Sequence, residues 1–226
     1  MNYETRSTKM GSVQEQAYRE LCESLLRDKV DLFVPGGTAH LTMLSLFAAG
    51  RAERIGEGTV SMRQAGASSP AKLIAVRKLL EAWDGSPMVI VTISQQVLSS
   101  VHQLFRRRKM LDRVAYAFGG HQPDNQLRAL QSFSGGERPI LLTSTTSIGV
   151  GTDLNRADTV AFLQRSWSPA ENQWVESKLS PDCRIVTYVT AGTVEVHQHL
   201  GLDRLCEIIR TPKDVKSFLY GRELKG

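Results

Sequence analysis

The chain has 226 residues, of which 41% are hydrophobic and 23% charged, and its formal net charge is +5. That apolar share is enough for a buried core and excludes a disordered chain. No apolar run approaches the ~20 residues that cross a bilayer, so no membrane partner is expected, and the polar stretch Met1–Lys9 lacks the apolar centre of a signal peptide.

Residues 1–10 are polar and are expected to fray. Val13, Ala17, Leu21 and Leu25, with Tyr18 beside them, repeat at helical spacing up to Asp28. Pro35-Gly36-Gly37 breaks that helix, and His40–Ala49 is a second, more apolar helix candidate. Its Leu41, Met43, Leu44, Leu46 and Phe47 make an apolar surface in need of cover. Arg51–Ser69 is rich in glycine, serine and charge and reads as a linker or long loop. From Pro70 the pattern becomes regular: a helix through Leu73–Trp83, then a strand over Met88–Ile93. Ser94 opens a helix that ends in Arg106-Arg107-Arg108-Lys109. A strand follows at Val114–Phe118, a helix at Pro123–Phe133, and strands at Ile140–Thr143 and Thr159–Leu163. A short helix from Pro169, a strand at Ile185–Val189 and a helix over Thr193–Ile209 complete the series. Short strands alternating with helices predict an α/β fold, a parallel sheet with helices on both faces, and ligands at the carboxyl ends of its strands.

Chemistry concentrates in Leu142–Asn155, directly behind a buried strand. Five hydroxyl residues, Thr143 to Ser147, stand in a row, followed by Gly149 and Gly151 around Val150, then Asp153. Hydroxyls, amides and glycines that let a backbone come close suit phosphate oxygens; a surface loop of turn formers reads equally well. Arg106 and Arg107 are either a DNA-backbone patch or a solvated helix end that complements the helix dipole. His197 and His199 could be a metal pair on a strand, but on a helix they diverge, so no metal site is expected. Trp167 and Trp174 could stack on bases; otherwise Trp167 packs into the core. Cys22, Cys183 and Cys206 are too few and too scattered for a disulfide framework or a zinc site, which points to a reducing compartment.

Further motifs keep the same order: Ala157-Asp158-Thr-Val160, then Trp167-Ser-Pro169, Asn172-Gln173, and Thr190, Thr193 and Glu195. With Ser144, Thr145, Gly149, Val150, Gly151 and Leu154, this run resembles the second RecA-like lobe of the superfamily 2 helicases, specifically the Swi/Snf-type double-stranded DNA translocases. The resemblance spans residues ~70 to 200. It implies a RecA-like lobe over 70–210, a helical extension and inter-lobe linker over 1–69, and a helix or tail over 211–226. It implies double-stranded DNA as partner, with Ser144, Thr145, Thr146 and Ser147 against backbone phosphates and Arg106 and Arg107 as a further patch. Gly149, Gly151, Asp153 and Gln173 would border a nucleotide cleft closed against a first-lobe ATPase polypeptide. Where that cleft is vacated, Trp174 would cover it. The expected location is cytoplasmic, or nuclear in a eukaryote, and not secreted.

Two departures limit what the resemblance implies. No G-x-x-x-x-G-K-[ST] occurs in the chain, so ATP and Mg are expected only where a partner lobe supplies the P-loop, and this chain is not expected to hydrolyse ATP alone. The family's two arginines after N-Q-A are also missing: Ser177 and Ser180 stand there, and Lys178 and Arg184 are out of register. No catalytic residue is assigned. The alternative reading is a non-catalytic helicase-like module that binds DNA or protein.

Overall fold

A computed structural model describes residues 1–29, 32, 41, 44–45, 53–54, 60–61, 71–118, 122–149 and 151–224. The strands are β1 (Asn2–Thr8), β2 (Glu53–Arg54), β3 (Val60–Ser61), β4 (Met88–Thr92), β5 (Val114–Ala117), β6 (Ile140–Ser144), β7 (Thr159–Phe162) and β8 (Arg184–Thr190). The helices are α1 (Ser12–Arg27), α2 (Ala71–Glu81), α3 (Gln95–Arg107), α4 (Pro123–Ser134), α5 (Pro169–Glu176), α6 (Gly201–Ile208) and α7 (Pro212–Leu219). Six strands form one sheet in the order β1-β8-β7-β4-β6-β5, and β2 pairs with β3 in a separate two-stranded sheet.

The β5–β6, β6–β4, β4–β7 and β7–β8 pairs are all parallel. β4 and β6 are buried at every position, as expected of strands whose two faces both carry helices. The chain leaves β4 on one side for β5 and β6 and returns to its other side for β7. A crevice at the carboxyl end of β4 is the topological consequence. This is the parallel α/β sheet that the spacing predicts and the RecA-like fold that the resemblance implies.

Two compact units divide the chain: Met1–Arg6 with Ala75–Tyr188, and Ser7–Ile74 with Val189–Gly226. In the first, Val89, Val91, Leu141, Phe133, Phe162 and Val175 form one continuous core. In the second, Tyr18 is fully buried: its hydroxyl donates to the Leu219 carbonyl at 2.7 Å and accepts from the Val194 amide at 2.9 Å. Lys72 and Glu195 are buried in the same unit as an ion pair at 2.6 Å.

Four expectations need correction or restriction. Residues 2–8 do not fray but form edge strand β1 beside β8, with Asn2 donating to the Cys183 carbonyl and Ala191 to the Thr8 carbonyl. Main-chain pairing makes that strand, and polar side chains suit an edge, so hydrophobic periodicity gave no signal. The buried face of α1 is Gln14, Tyr18, Cys22 and Leu25, while Val13 is exposed. The stripe is rotated because Gln14 accepts the Ala71 amide at 3.1 Å and Tyr18 makes its two bonds inward. The helix expected over Thr193–Ile209 is a 3₁₀ segment, Val194–Leu200, followed by α6. Leu41 and Leu44 are fully buried and so present no apolar surface; Met43, Leu46 and Phe47 lie outside the described residues, as does most of the Arg51–Ser69 loop.

Candidate nucleic-acid interface

The hydroxyl-rich loop leaves the carboxyl end of β6. Thr145–Ser147 turn through one 3₁₀ segment, which draws most of their side chains inward. The Ser144 hydroxyl lies 2.7 Å from that of Ser147 and 3.1 Å from that of Thr146. Ser144, Thr145 and Ser147 are buried, whereas Thr146 is exposed. The outward surface is therefore Thr146 with the following Gly149, Gly151 and Asp153, all exposed. A β-carbon at Gly149 or Gly151 would meet nothing within 4 Å, and neither residue has a positive φ. Nothing in the described fold demands glycine there, and the open space lets another molecule come up to the main chain. Val150 lies outside the described residues.

Helix α5 fixes one end of this loop, and the residues just past it fix the other. Ser168 caps α5 by accepting from the Glu171 amide, with Pro169 in the first turn, as helix starts prefer. Trp174 Nε1 donates to the Ile148 carbonyl at 2.7 Å, and the Leu154 amide donates to the Lys178 carbonyl at 3.2 Å. The Lys178 ammonium lies 4.2 Å from the centre of the Trp174 ring, a cation–π contact. Trp174 remains 39% exposed at the loop, whereas Trp167 is buried. Trp167 thus packs as a core residue and Trp174 as a clamp.

Neighbouring strands tie in through polar ends. Thr92, closing β4, donates its hydroxyl to Gln164 Oε1 at 2.7 Å, just beyond β7. Arg165 binds Glu176 at 2.7 Å and Thr187 Oγ1 at 3.0 Å, and its guanidinium stands 4.2 Å from the centre of the Phe162 ring. Asn172 accepts from the Ser166 amide and donates to the Ser166 carbonyl, closing the turn in front of α5. Sequence reasoning missed Gln164, Arg165 and Glu176. The available signal was a polar pair directly after an apolar strand, in the position that ends on the crevice.

The remaining candidates separate. Gln173 is exposed on α5, and Asp153 accepts the Asn155 amide at 2.9 Å. Arg106 and Arg107 are exposed in the last turn of α3. That helix starts at the carboxyl end of β4 and runs back, so its thirteen residues set them about 20 Å away, on the opposite edge of the sheet from Thr146. The neighbouring Arg108 lies 3.6 Å from Glu81. Ser177, in the place of an expected arginine, is the C-cap of α5 and donates to the Trp174 carbonyl at 2.7 Å. His197 is buried and His199 exposed, so the pair does not converge, and no group of metal-binding side chains occurs among the described residues. No described helix is long and apolar enough to cross a membrane.

ATP and Mg can be tested against these side chains. Asp153 is the one carboxylate among the cleft candidates and accepts one amide in its own turn, and hydroxyls stand where the arginines would be.

Comparison with known proteins agrees with the geometry. Residues 71–176 match the helicase conserved C-terminal domain. No curated protein matches the chain in sequence. The C-terminal part of the Fun30 ATPase domain superposes with a TM-score of 0.67 at 14% identity, covering 96% of both chains. The Sulfolobus solfataricus SWI2/SNF2 ATPase core domain superposes at 0.72 with 15% identity, over 99% of this chain and 49% of that one. The same organism's SWI2/SNF2 ATPase core in complex with dsDNA superposes at 0.70 with 15% identity, over all of this chain and 50% of that one. This chain thus spans about half the length of those two cores. Residues 71–176 thus match the helicase conserved C-terminal domain, and the chain as a whole shares the RecA-like α/β fold of these SWI2/SNF2-type ATPase structures.

Proposed function

We propose that this chain is the DNA-gripping half of an ATP-driven double-stranded DNA translocase, closing on a nucleotide held by a P-loop lobe that these 226 residues do not contain. The observation that carries the reading is the exposed Thr146, Gly149 and Gly151 surface, which leaves the β6 end with open space above its glycines and is pinned at one end by α5 and at the other by Lys178. A neutral hydroxyl and close-approach main chain contact phosphates without reading bases, which suits movement along any sequence. In this reading Thr146 and the main chains of Gly149 and Gly151 meet the phosphates. Ser144, Thr145 and Ser147 shape the turn from beneath, and Arg106 and Arg107 meet any phosphate contacted at the far edge. The SWI2/SNF2 core solved with dsDNA has the same fold and supports DNA as the partner.

Duplex binding by the chain alone tests this through fluorescence anisotropy across a salt series. Affinity falls steeply with salt, and Gly149→Ala or Thr146→Ala weakens it about five- to tenfold without lowering Tm. Duplex affinity equal to that of both variants, or no binding at low salt, overturns the reading.

A second reading, a module that binds DNA but has lost the motor, is favoured by Ser177 and Ser180 in the arginine positions. The two divide on phosphate release: only the first predicts that duplex stimulates ATP hydrolysis when a P-loop lobe is added.

A further inference from the structure

Within the second unit a groove of 380 Å³ opens where β1 and β8 end, between Lys9, Met10, Tyr18, Arg19, Tyr220 and Arg222, with Glu15, Ala191 and Gly192 completing its wall. It shares no residue with the loop behind β6. That volume falls in the ~300–1,000 Å³ range of small-molecule sites.

Its charge is one-sided. Glu15 is held by Arg19 at 2.6 Å, one helical turn away, which leaves Lys9 and Arg222 without a carboxylate partner among the described residues. Three cations against one carboxylate make the lining an anion's environment. The floor is rigid and partly aromatic: Tyr18 is fully buried, with both of its hydroxyl bonds made inward. Tyr220 stands half-buried, with the Arg222 guanidinium 5.7 Å from its ring centre.

The two cations are built into place by main-chain geometry. Gly221 sits at φ +57°, and a β-carbon there would lie 2.6 Å from the Thr193 carbonyl oxygen. Only glycine lets the end of α7 land on the turn after β8, and the landing sets Tyr220 and Arg222 on either side of that contact. The Arg222 amide donates to the Ser217 carbonyl at 2.8 Å. Lys9 follows directly from β1, whose last residue accepts the Ala191 amide at 2.9 Å.

We propose that this groove binds a phosphate group, with Lys9 and Arg222 as its two cationic contacts and Tyr220 as a platform for whatever ring the phosphate carries. An arginine fork and a mobile ammonium together match a phosphate's several oxygens. Free nucleotide and DNA backbone share that chemistry, and both are tested.

Calorimetric titration of the full chain with inorganic phosphate, AMP and duplex DNA decides. The expected result is binding of AMP more tightly than inorganic phosphate, lost about tenfold or more in Lys9→Ala/Arg222→Ala and partly kept in Arg222→Lys. Both side chains are exposed, so the variants keep the fold, which an unchanged Tm verifies. Duplex binding that drops in the double variant while AMP does not bind assigns the site to DNA phosphates and also supports the proposal. Thr146→Ala leaves AMP binding untouched, which separates failure here from failure of the translocase reading. Equal affinities in the chain and the double variant for all three probes, or binding of none, overturns it. So does preference for an acidic peptide over phosphate.

Discussion

Lys72 and Glu195 meet at 2.6 Å with 0% and 2% of their side chains exposed, and Glu195 Oε2 also accepts the Thr190 amide at 2.8 Å. Burial lowers the Lys72 pKa while the facing carboxylate pulls it back up. Removing one member strands the other: Lys72→Met should cost about 3–5 kcal/mol, and adding Glu195→Gln should recover most of it. Urea denaturation of the single and double variants measures both. His197 stands near Phe218 in the same unit, and burial first, then nearby His199, hold its pKa below the ordinary 6.5. With a depressed folded value, the unfolded chain takes up the proton first as the pH falls. The stabilisation is complete above about 6.5 and shrinks on acidification. A His197→Leu variant should flatten Tm between neutral pH and the mildly acidic range. At the thiols, burial pushes Cys22 up to about 12 and Cys183 to about 11, whereas Cys206 is exposed. Native alkylation should label Cys206 alone and reach the other two only on unfolding.

At the scale of elements, α5 matters more as a clamp than as a carrier of chemistry. Eight residues long, it holds the loop behind β6 by the Trp174–Ile148 bond, and Lys178, two residues past its end, holds Leu154. Trp174→Phe keeps an aromatic ring under Lys178 but removes the indole donor. It should cost about 1 kcal/mol in stability and raise amide exchange in residues 148–154 with the rest unchanged, measured by hydrogen exchange. Elements were legible where their pattern is local. Strands β4 to β8 and helices α3 to α5 fall within a residue or two of the sequence reading, because apolar β-branched runs and Ser94 or Pro169 starts mark them. Edge strand β1 was not legible, since its stability lies in main-chain bonds to β8. The α1 face was off by one position, since Gln14 and Tyr18 are buried through partners more than fifty residues away.

For the whole molecule, a parallel sheet with its polar strand ends on one edge decides which residues can cooperate. Thr146, Gly149, Gly151 and Asp153 share that edge, while Arg106 and Arg107 are carried to the other by the length of α3. On the proposed function, the chain alone releases no phosphate from ATP. With a P-loop lobe and duplex it turns over slowly, and Ser177→Arg should raise that rate, since a well-placed arginine is worth ~10³–10⁵. A phosphate-release assay with the paired lobes checks each statement, and no response to duplex would leave the binding-module reading in place.

The linear chain determined the α/β class, the order of its central strands and helices, and the identity of the hydroxyl-glycine loop, because these are written in local periodicity and motif spacing. Tertiary structure decided which hydroxyls face outward, that the arginine run stands apart from them, and that Lys9 and Arg222 share one groove. Those outcomes depend on a 3₁₀ turn, the length of a helix and a single glycine contact across the fold. Each is set by the position of distant chain in space, which no local pattern of residues encodes.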